Sequence, residues 1–323
     1  MAPIGIGLIG LGRHGMRYAQ HLREFGADAT LAAVSRRDAA QGAAFAAEHG
    51  VHFHQDYREL IADPDVGAVI VVTPPVLTPS ICMTAVQARK PVLIEKPLAC
   101  TGAVAKAMAQ AAEIAGVPLM TAQTLRFDST IQALKVEVSK AGQAHYVALT
   151  YRLERHTVAG KDPAEYEQRG ILLEIGTHLF DLIRYLTGDE VVEVRCELDR
   201  LGLETTESRA LVSLRTRGSV ACILDVSRVS MGRVSRVDWM AGQVQINADW
   251  IHHRIHRLGP QSLVDEWSVP PCHTVVETIR AFLTALKRGG PMPITGWDGY
   301  KAVAIADACY ESAASGRVAR VAT

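Results

Sequence analysis

Ile4-Gly5-Ile6-Gly7-Leu8-Ile9-Gly10-Leu11-Gly12-Arg13-His14-Gly15 decides the fold of this chain. An apolar run enters Gly10-x-Gly12-x-x-Gly15 and a helix-forming stretch follows. That order predicts a buried strand, a tight glycine turn and a helix start. Gly10 permits the turn, Gly12 lets a pyrophosphate approach the backbone, and Gly15 lets the helix pack on the strand. The helix N-terminus adds free N–H groups and a positive dipole end for phosphate.

Working outward, strand and helix signals alternate through the first 120 or so residues. Ile4–Ile9, Ala29–Val34, Val66–Val72, Val92–Ile94 and Leu119–Ala122 read as strands. Met16–Phe25, Ala39–His49, Tyr57–Ala62, Pro79–Ala88 and Thr101–Ala115 read as helices. Short apolar strands separated by helices imply a parallel sheet covered on both faces. Ligands of such sheets sit outside the carboxyl ends of the strands. Gly10, Ser35, Thr73, Glu95 and Gln123 all fall at such ends.

Beyond residue 122 the pattern changes. Phe127–Ser139 and Arg169–Thr187 read as helices, and Ala144–Leu153 as a strand. Further strand-like runs follow at Val191–Leu198, Ala210–Arg215, Ser219–Val226, Arg236–Ala241 and Val244–Asn247. Thr274–Lys287 and Gly299–Ala314 close as helices, Asp298 serving as N-cap of the last. The expected architecture is α/β: a Rossmann-type doubly wound parallel sheet over residues 1–122, then an α+β domain with a largely antiparallel open sheet over 123–323.

Bulk properties narrow the function. The 323 residues are 48% hydrophobic, and Lys+Arg and Asp+Glu are both 34. A zero net charge gives no reason to expect nucleic acid or an anionic membrane as partner. No apolar run reaches the ~18 residues needed to span a bilayer. The apolar run at the N-terminus is already the first strand rather than a signal peptide, which argues for the cytoplasm. Cys82, Cys100, Cys196, Cys222, Cys272 and Cys309 are scattered without a CxxC pair, so reduced, mostly buried thiols are expected. His252, His253 and His256 read as polar residues of a strand or loop. Zinc has use for two of them, but no third ligand is apparent, and no metal site is expected. Arg152, Arg155, His156 and Lys161 suit either a lid or a solvated loop.

The second half concentrates its chemistry in Gly170-Ile-Leu-Leu-Glu174-Ile-Gly-Thr-His178-Leu-Phe-Asp181. Glu174 and His178, four residues apart, share one face of a helix, and Asp181 lies close to it. A carboxylate beside an imidazole orients the ring and favours its protonated form. Such a histidine takes a proton from a hydroxyl or returns one to a carbonyl oxygen. A surface ion pair has the same spacing, but the apolar neighbours argue against a purely solvated face.

With these motifs the chain resembles the Gfo/Idh/MocA family of glucose–fructose oxidoreductase and inositol dehydrogenase. The resemblance runs almost end to end. It takes in the glycine turn, Thr73-Pro74-Pro75, Glu95-Lys96-Pro97, Arg126-Phe127, the Glu174/His178/Asp181 helix, and the tail Glu311-Ser-Ala-Ala-Ser-Gly-Arg317. It implies NAD(P)-dependent oxidation of a sugar or cyclitol hydroxyl, or the reverse reduction. Lys96 would hydrogen-bond the reacting oxygen, His178 would be the acid/base, and Glu174 would stand in for the usual Asp. Arg126 and Asp181 would join Lys96, Glu174 and His178 around the substrate. Leu11, Arg13, His14, Pro74, Pro75 and Lys96 would line the cofactor with the strand-end residues. The last helix, about 299–314, would pack back on the first domain, and the open sheet would form a homodimer or homotetramer.

The departures are Thr78 where many relatives carry His, Gln123-Thr124-Leu125-Arg126 for Asn-x-Arg, and Arg169 for a glycine. Val34-Ser35-Arg36-Arg37 offers no carboxylate for an NAD ribose before Asp38, so Ser35, Arg36 and Arg37 favour the 2′-phosphate of NADP. Arginines also stack on adenine, leaving NAD possible. A redox-assisted glycosidase or lyase and a non-catalytic dinucleotide sensor are the competing readings.

Overall fold

A computed structural model describes residues 2–154, 166–201, 205–260 and 263–322. By compactness the chain forms two units: residues 1–123 with 275–300, and 124–274 with 301–323.

The first unit alternates strand and helix in the expected order. β1 (Ile4–Ile9) leads to α1 (Arg13–Leu22) and a 3-10 turn, then β2 (Ala29–Ser35), α2 (Ala39–His49), β3 (His52–His54), α3 (Tyr57–Ala62), β4 (Ala68–Val71), α4 (Thr78–Gln87), β5 (Val92–Glu95), α5 (Gly102–Ala115) and β6 (Leu119–Ala122). All six strands are parallel, in the order β3-β2-β1-β4-β5-β6. The order reverses beside β1, which opens a crevice at the strand ends there. β4, β5 and β6 are buried at every position, because helices cover both faces of the sheet.

In this unit several boundaries differ from the sequence reading by a residue or two, and two differences are larger. α1 begins at Arg13 rather than Met16, since Gly12 is already its extended N-cap. β3 was not expected; its three residues carry no apolar run.

The second unit contributes α6 (Ser129–Ala141), β7 (Tyr146–Glu154), a π-helical turn at Leu172–Gly176 running into α7 (Thr177–Thr187), then β8 (Val191–Asp199), β9 (Arg209–Thr216), β10 (Ala221–Ser230), β11 (Val234–Ala241), β12 (Val244–Asp249), β13 (Arg254–Leu258) and β14 (Leu263–Ser268). Its sheet runs β14-β13-β12-β11-β7-β10-β9-β8-β15, where β15 is Ala319–Arg320. Every pair is antiparallel except β7 with β10. Alternating burial along β9 and β11 marks one packed and one open face.

α8 (Thr274–Arg288) and the start of α9 (Gly296–Ser315) group with the first unit and the rest of α9 with the second, where the sequence reading has one domain over 123–323 whose last helix packs back on the first. The reason is packing: a Cβ at Gly296 would lie 2.5 Å from Leu119, and one at Gly299 2.3 Å from Thr121. Asp298 is not the N-cap. Its carboxylate accepts the Thr295 N–H at 2.8 Å while Thr295 Oγ1 accepts the Asp298 N–H at 3.3 Å, a reciprocal capping box with Thr295 as N-cap.

No disulfide joins the six cysteines, and five are buried. Among the described residues no helix is long and apolar enough to cross a membrane. His252 and His253 sit in the turn before β13 rather than on a strand, and only His256 is in the sheet. Arg152 pairs with Asp225 across β7 and β10 at 2.5 Å. Arg155, His156 and Lys161 lie outside the described residues.

Candidate active site

Within the first unit the glycine turn is fixed by contact. Gly10 has φ +99°, and a Cβ there would lie 2.3 Å from the Val72 carbonyl oxygen. A Cβ on Gly15 would lie 1.8 Å from the Gly10 oxygen, whereas one on Gly12 would meet nothing within 4 Å. Gly12 therefore leaves open space beside the first turn of α1, whose N-terminal N–H groups receive no side-chain cap from Gly12. Leu11 is buried, so only its backbone is on offer, while Arg13 is exposed and His14 part-exposed.

His14 and Tyr18 both donate to Glu95, at 2.8 and 2.6 Å. The Lys96 N–H reaches the other carboxylate oxygen at 3.1 Å. Burial alone would push the Glu95 carboxyl up; the His14 hydrogen bond and charge, the Lys96 charge and the Tyr18 hydrogen bond hold it below its ordinary value. Burial beside Glu95 raises the Tyr18 phenol well above its own. Glu95 is thus an ionised anchor tying α1 to the end of β5, next to Lys96. Tyr18 was not singled out from sequence. Its signal was there, since it lies on the buried face of α1 with Gly15, Ala19 and Leu22, and a buried phenol needs a partner.

Thr73 and Gln123, at the ends of β4 and β6, hold buried oxygens (Oγ1 and Oε1) with no hydrogen-bond partner among the described residues. Buried polar atoms are normally paired, and two orphans on the sheet edge that carries the glycine turn suit a polar ligand. Pro74 and Pro75 make the turn after β4, where Pro74 accepts the Leu77 N–H at 3.0 Å. Thr78 is fully buried, donating to Leu98 at 2.6 Å with Pro75 at 3.0 Å, so it ties backbone segments together.

At the end of β2, Ser35 is buried and its hydroxyl reaches the Gln55 carbonyl at 3.4 Å. Arg36 donates to the Leu11 carbonyl at 2.8 Å, which folds its guanidinium against the glycine turn. Arg37 stays exposed. Asp38 is committed elsewhere: as N-cap of α2 it accepts the Gln41 N–H at 3.0 Å and the Gln41 amide at 2.6 Å.

In the second unit, the segment expected as one helix starts with a π-helical turn. Gly170 and Leu172 donate their N–H groups to Glu207 at 2.9 and 3.3 Å, and Tyr310 donates to the same oxygen at 2.5 Å. Burial, then the charge and hydrogen bond of Glu207, raise the Tyr310 phenol. Arg169, the departure from glycine, ion-pairs with Asp307 and stacks over Tyr310 at 4.7 Å. Across residues 171–184 every residue is buried except Glu174 and His178. Glu174 accepts from Arg228 of β10 at 2.7 Å.

Asp181 and Arg126, both expected at the substrate, find each other. Arg126 Nε and Nη2 donate to the two carboxylate oxygens at 2.7 and 2.6 Å, and Arg184 lies 3.6 Å away. Asp181 is 1% exposed, so its carboxylate has no open face. Arg228 and Glu207 had no signal in the sequence: each meets its partner across more than thirty residues.

Comparison with known proteins gives three matches that together span most of the chain. Residues 4–123 match the oxidoreductase family with an NAD-binding Rossmann fold, 132–242 the GFO/IDH/MocA C-terminal domain, and 268–322 the oxidoreductase-family C-terminal alpha/beta domain. The myo-inositol 2-dehydrogenase of Thermotoga maritima is 29% identical, covering 95% of both chains. The D-apiose dehydrogenase of Paraburkholderia graminis is 28% identical over 88% of this chain and 80% of its own. A crystal structure of a probable dehydrogenase from Thermotoga maritima superposes with a TM-score of 0.85 at 27% identity, covering 98% of this chain and 99% of that one.

Proposed function

Because this chain belongs to the GFO/IDH/MocA oxidoreductase family, we propose that it is an NAD(P)-dependent dehydrogenase or reductase acting on a CH–OH carbon of a cyclitol, sugar or related polyol. The single observation that carries this reading is the glycine turn. Gly10 and Gly15 admit no side chain, Gly12 leaves a space that a Cβ would fill, and the orphaned Thr73 and Gln123 oxygens lie on the same sheet edge. The turn backbone and the α1 N-terminus would hold the pyrophosphate, and Thr73 and Gln123 the polar groups nearer the nicotinamide.

When bound, the nicotinamide accepts or supplies the hydride. In the oxidising direction His178 takes the proton of the substrate hydroxyl, and the Lys96 ammonium hydrogen-bonds the same oxygen and stabilises its developing negative charge. In reduction the proton returns from His178 to the carbonyl oxygen. Glu174, held by Arg228, orients His178. Glu95 fixes the strand end from which Lys96 projects.

NADP(H) is the favoured cofactor, with NAD(H) accommodated. Asp38, the first carboxylate after β2, is occupied as a helix cap, so it is a poor ribose acceptor, and Arg37 is free to meet a 2′-phosphate. The nine-stranded sheet is the proposed surface for a homodimer or homotetramer.

The test titrates the protein with NADPH and NADH, then screens polyols, cyclitols and sugars with both oxidised cofactors. Lys96→Ala and His178→Ala should each lower kcat by about 10²–10⁴-fold with cofactor affinity retained. Binding of neither dinucleotide, or full turnover in both variants, defeats the proposal.

A further inference from the structure

Among the described residues, one group of three His/Cys/Asp/Glu side chains has all its donor atoms within 4.8 Å of one another: His52, His54 and Asp63. It belongs to the first unit and includes none of the residues assigned to the nucleotide. His52 and His54 lie two apart on β3, so their rings leave the same face. β3 is the edge strand of its sheet. Asp63 terminates α3 and is buried. His52 Nδ1 and His54 Nε2 both point at a single oxygen, Asp63 Oδ2, at 2.8 and 2.9 Å.

Three further features go beyond an ordinary His–Asp hydrogen bond. Asp63 Oδ1 is already taken by the Asp65 N–H at 2.9 Å, which locks the carboxylate with Oδ2 toward the rings. Each ring also presents its second nitrogen to another carboxylate: His54 Nδ1 lies 3.8 Å from Glu59 Oε2, and His52 Nε2 3.9 Å from Asp65 Oδ2. These distances are longer than hydrogen bonds, but they put a carboxylate on the outer side of each ring, where metal-bound histidines characteristically have one. Finally, three carboxylates surround two imidazoles, an excess of negative charge that favours a divalent cation.

We propose that His52 Nδ1, His54 Nε2 and Asp63 Oδ2 form a binding site for zinc or a similar first-row divalent cation, clipping the edge strand β3 to the end of α3. Two imidazoles and one carboxylate are a borderline donor set, which selects zinc over calcium or magnesium. Tetrahedral ligands about 2.0–2.1 Å from zinc stand roughly 3.3–3.4 Å apart. The two nitrogen–oxygen distances therefore need to open by about half an ångström, and exposed His52 moves easily. Water completes the fourth position. Binding displaces the protons now shared with Asp63, so affinity rises with pH. The role is structural: the cation joins the His52–His54 edge to the turn that leads into β4.

The experiment uses the full chain stripped with a chelator, titrated with zinc chloride by calorimetry and with cobalt chloride by visible absorption. One equivalent should bind per chain, with a cobalt spectrum typical of tetrahedral N/O ligation. Zinc should also raise the melting temperature. His52→Ala and His54→Ala should each weaken binding at least about tenfold, and the double variant should lose both the zinc-dependent melting shift and the cobalt spectrum. His52 is solvent-exposed, so His52→Ala keeps the fold even where a variant at Asp63 does not. Absence of stoichiometric binding leaves a hydrogen-bonded His–Asp pair only and overturns the proposal. So does binding that the double variant retains.

Discussion

Replacing Asp181 with alanine should destabilise the second unit by about 3–5 kcal/mol, the range for breaking a buried charge pair by removing one partner. The structure sets this magnitude. Asp181 is 1% exposed and accepts from both Arg126 Nε and Arg126 Nη2 at 2.7 and 2.6 Å. The substitution removes two charge-assisted bonds at once and leaves the Arg126 guanidinium desolvated beside the Tyr185 ring. Arg184, the third member, retains Glu190 at 2.8 and 3.1 Å, so the penalty falls on Arg126. At roughly 2–4 °C per kcal/mol the melting temperature should fall by about 10 °C. Scanning calorimetry of Asp181→Leu, Arg126→Met and Asp181→Leu/Arg126→Met completes a double-mutant cycle beside the Asp181→Ala measurement. The double variant should recover most of the loss, because an apolar pair carries no buried charge. If Asp181→Ala melts within about 2 °C of the parent while KM rises, Asp181 contacts substrate and the buried-anchor argument is wrong.

Other perturbations separate the remaining claims. Gly12→Ala should leave the melting temperature unchanged, since its Cβ meets nothing, yet weaken NAD(P)H binding; Gly15→Ala should cost about 1–3 kcal/mol of stability through its 1.8 Å approach to the Gly10 oxygen. Normal cofactor affinity in Gly12→Ala would sink the pyrophosphate assignment. Burial opposes ionisation of Glu190, but Arg184 and Lys301 hold it at about 2, below its ordinary 4.5. The unfolded chain binds the extra proton in that interval, so this stabilisation is complete above about pH 4.5 and is lost as pH falls toward 2. Acid titration of the melting temperature should show a shallower decline in Glu190→Gln. Arg228→Met, which releases Glu174, should lower kcat roughly tenfold with unchanged cofactor affinity, the loss of one charge-assisted hydrogen bond; unchanged kcat would leave Arg228 a purely structural residue. Arg36→Ala/Arg37→Ala should weaken NADPH binding and spare NADH, and equal losses would remove the phosphate argument.

The parallel sheet was legible because its strands are continuous apolar runs bounded by turn residues, and the ends of β1 and β6 match the sequence reading. β3 was invisible: His-Phe-His has one apolar residue, and an edge strand has fewer neighbours to demand more. The π-helical turn at 172–176 was likewise hidden, because apolar periodicity reports that a segment is helical and not which carbonyl each N–H reaches. The polar motifs could be found because they are local. What they bond to could not, since Arg228, Glu207 and Tyr310 meet the 170–178 segment only through the tertiary fold.

Burial separates reactive residues from anchors more sharply than motif spacing does. In residues 92–100 every residue is buried except Lys96; in 171–184 every residue is buried except Glu174 and His178. Each unit thus has one segment that is buried throughout except at the residues proposed to handle the proton. Neighbouring charged groups behave in the opposite way. Glu95, Asp181 and Glu207 are buried, and each accepts hydrogen bonds from more than one donor. A buried carboxylate so satisfied has little capacity left for a passing substrate, but it fixes the backbone beside it. Glu95 anchors the strand end next to Lys96, Glu207 holds the N-terminus of the segment bearing Glu174, and Asp181 binds the helix that carries His178 to Arg126. Rigid placement of a partly open group by a buried, saturated one is the preorganisation that proton transfer and oxyanion stabilisation require. It follows that variants at the anchors should damage stability first and turnover second, and variants at Lys96 and His178 the reverse.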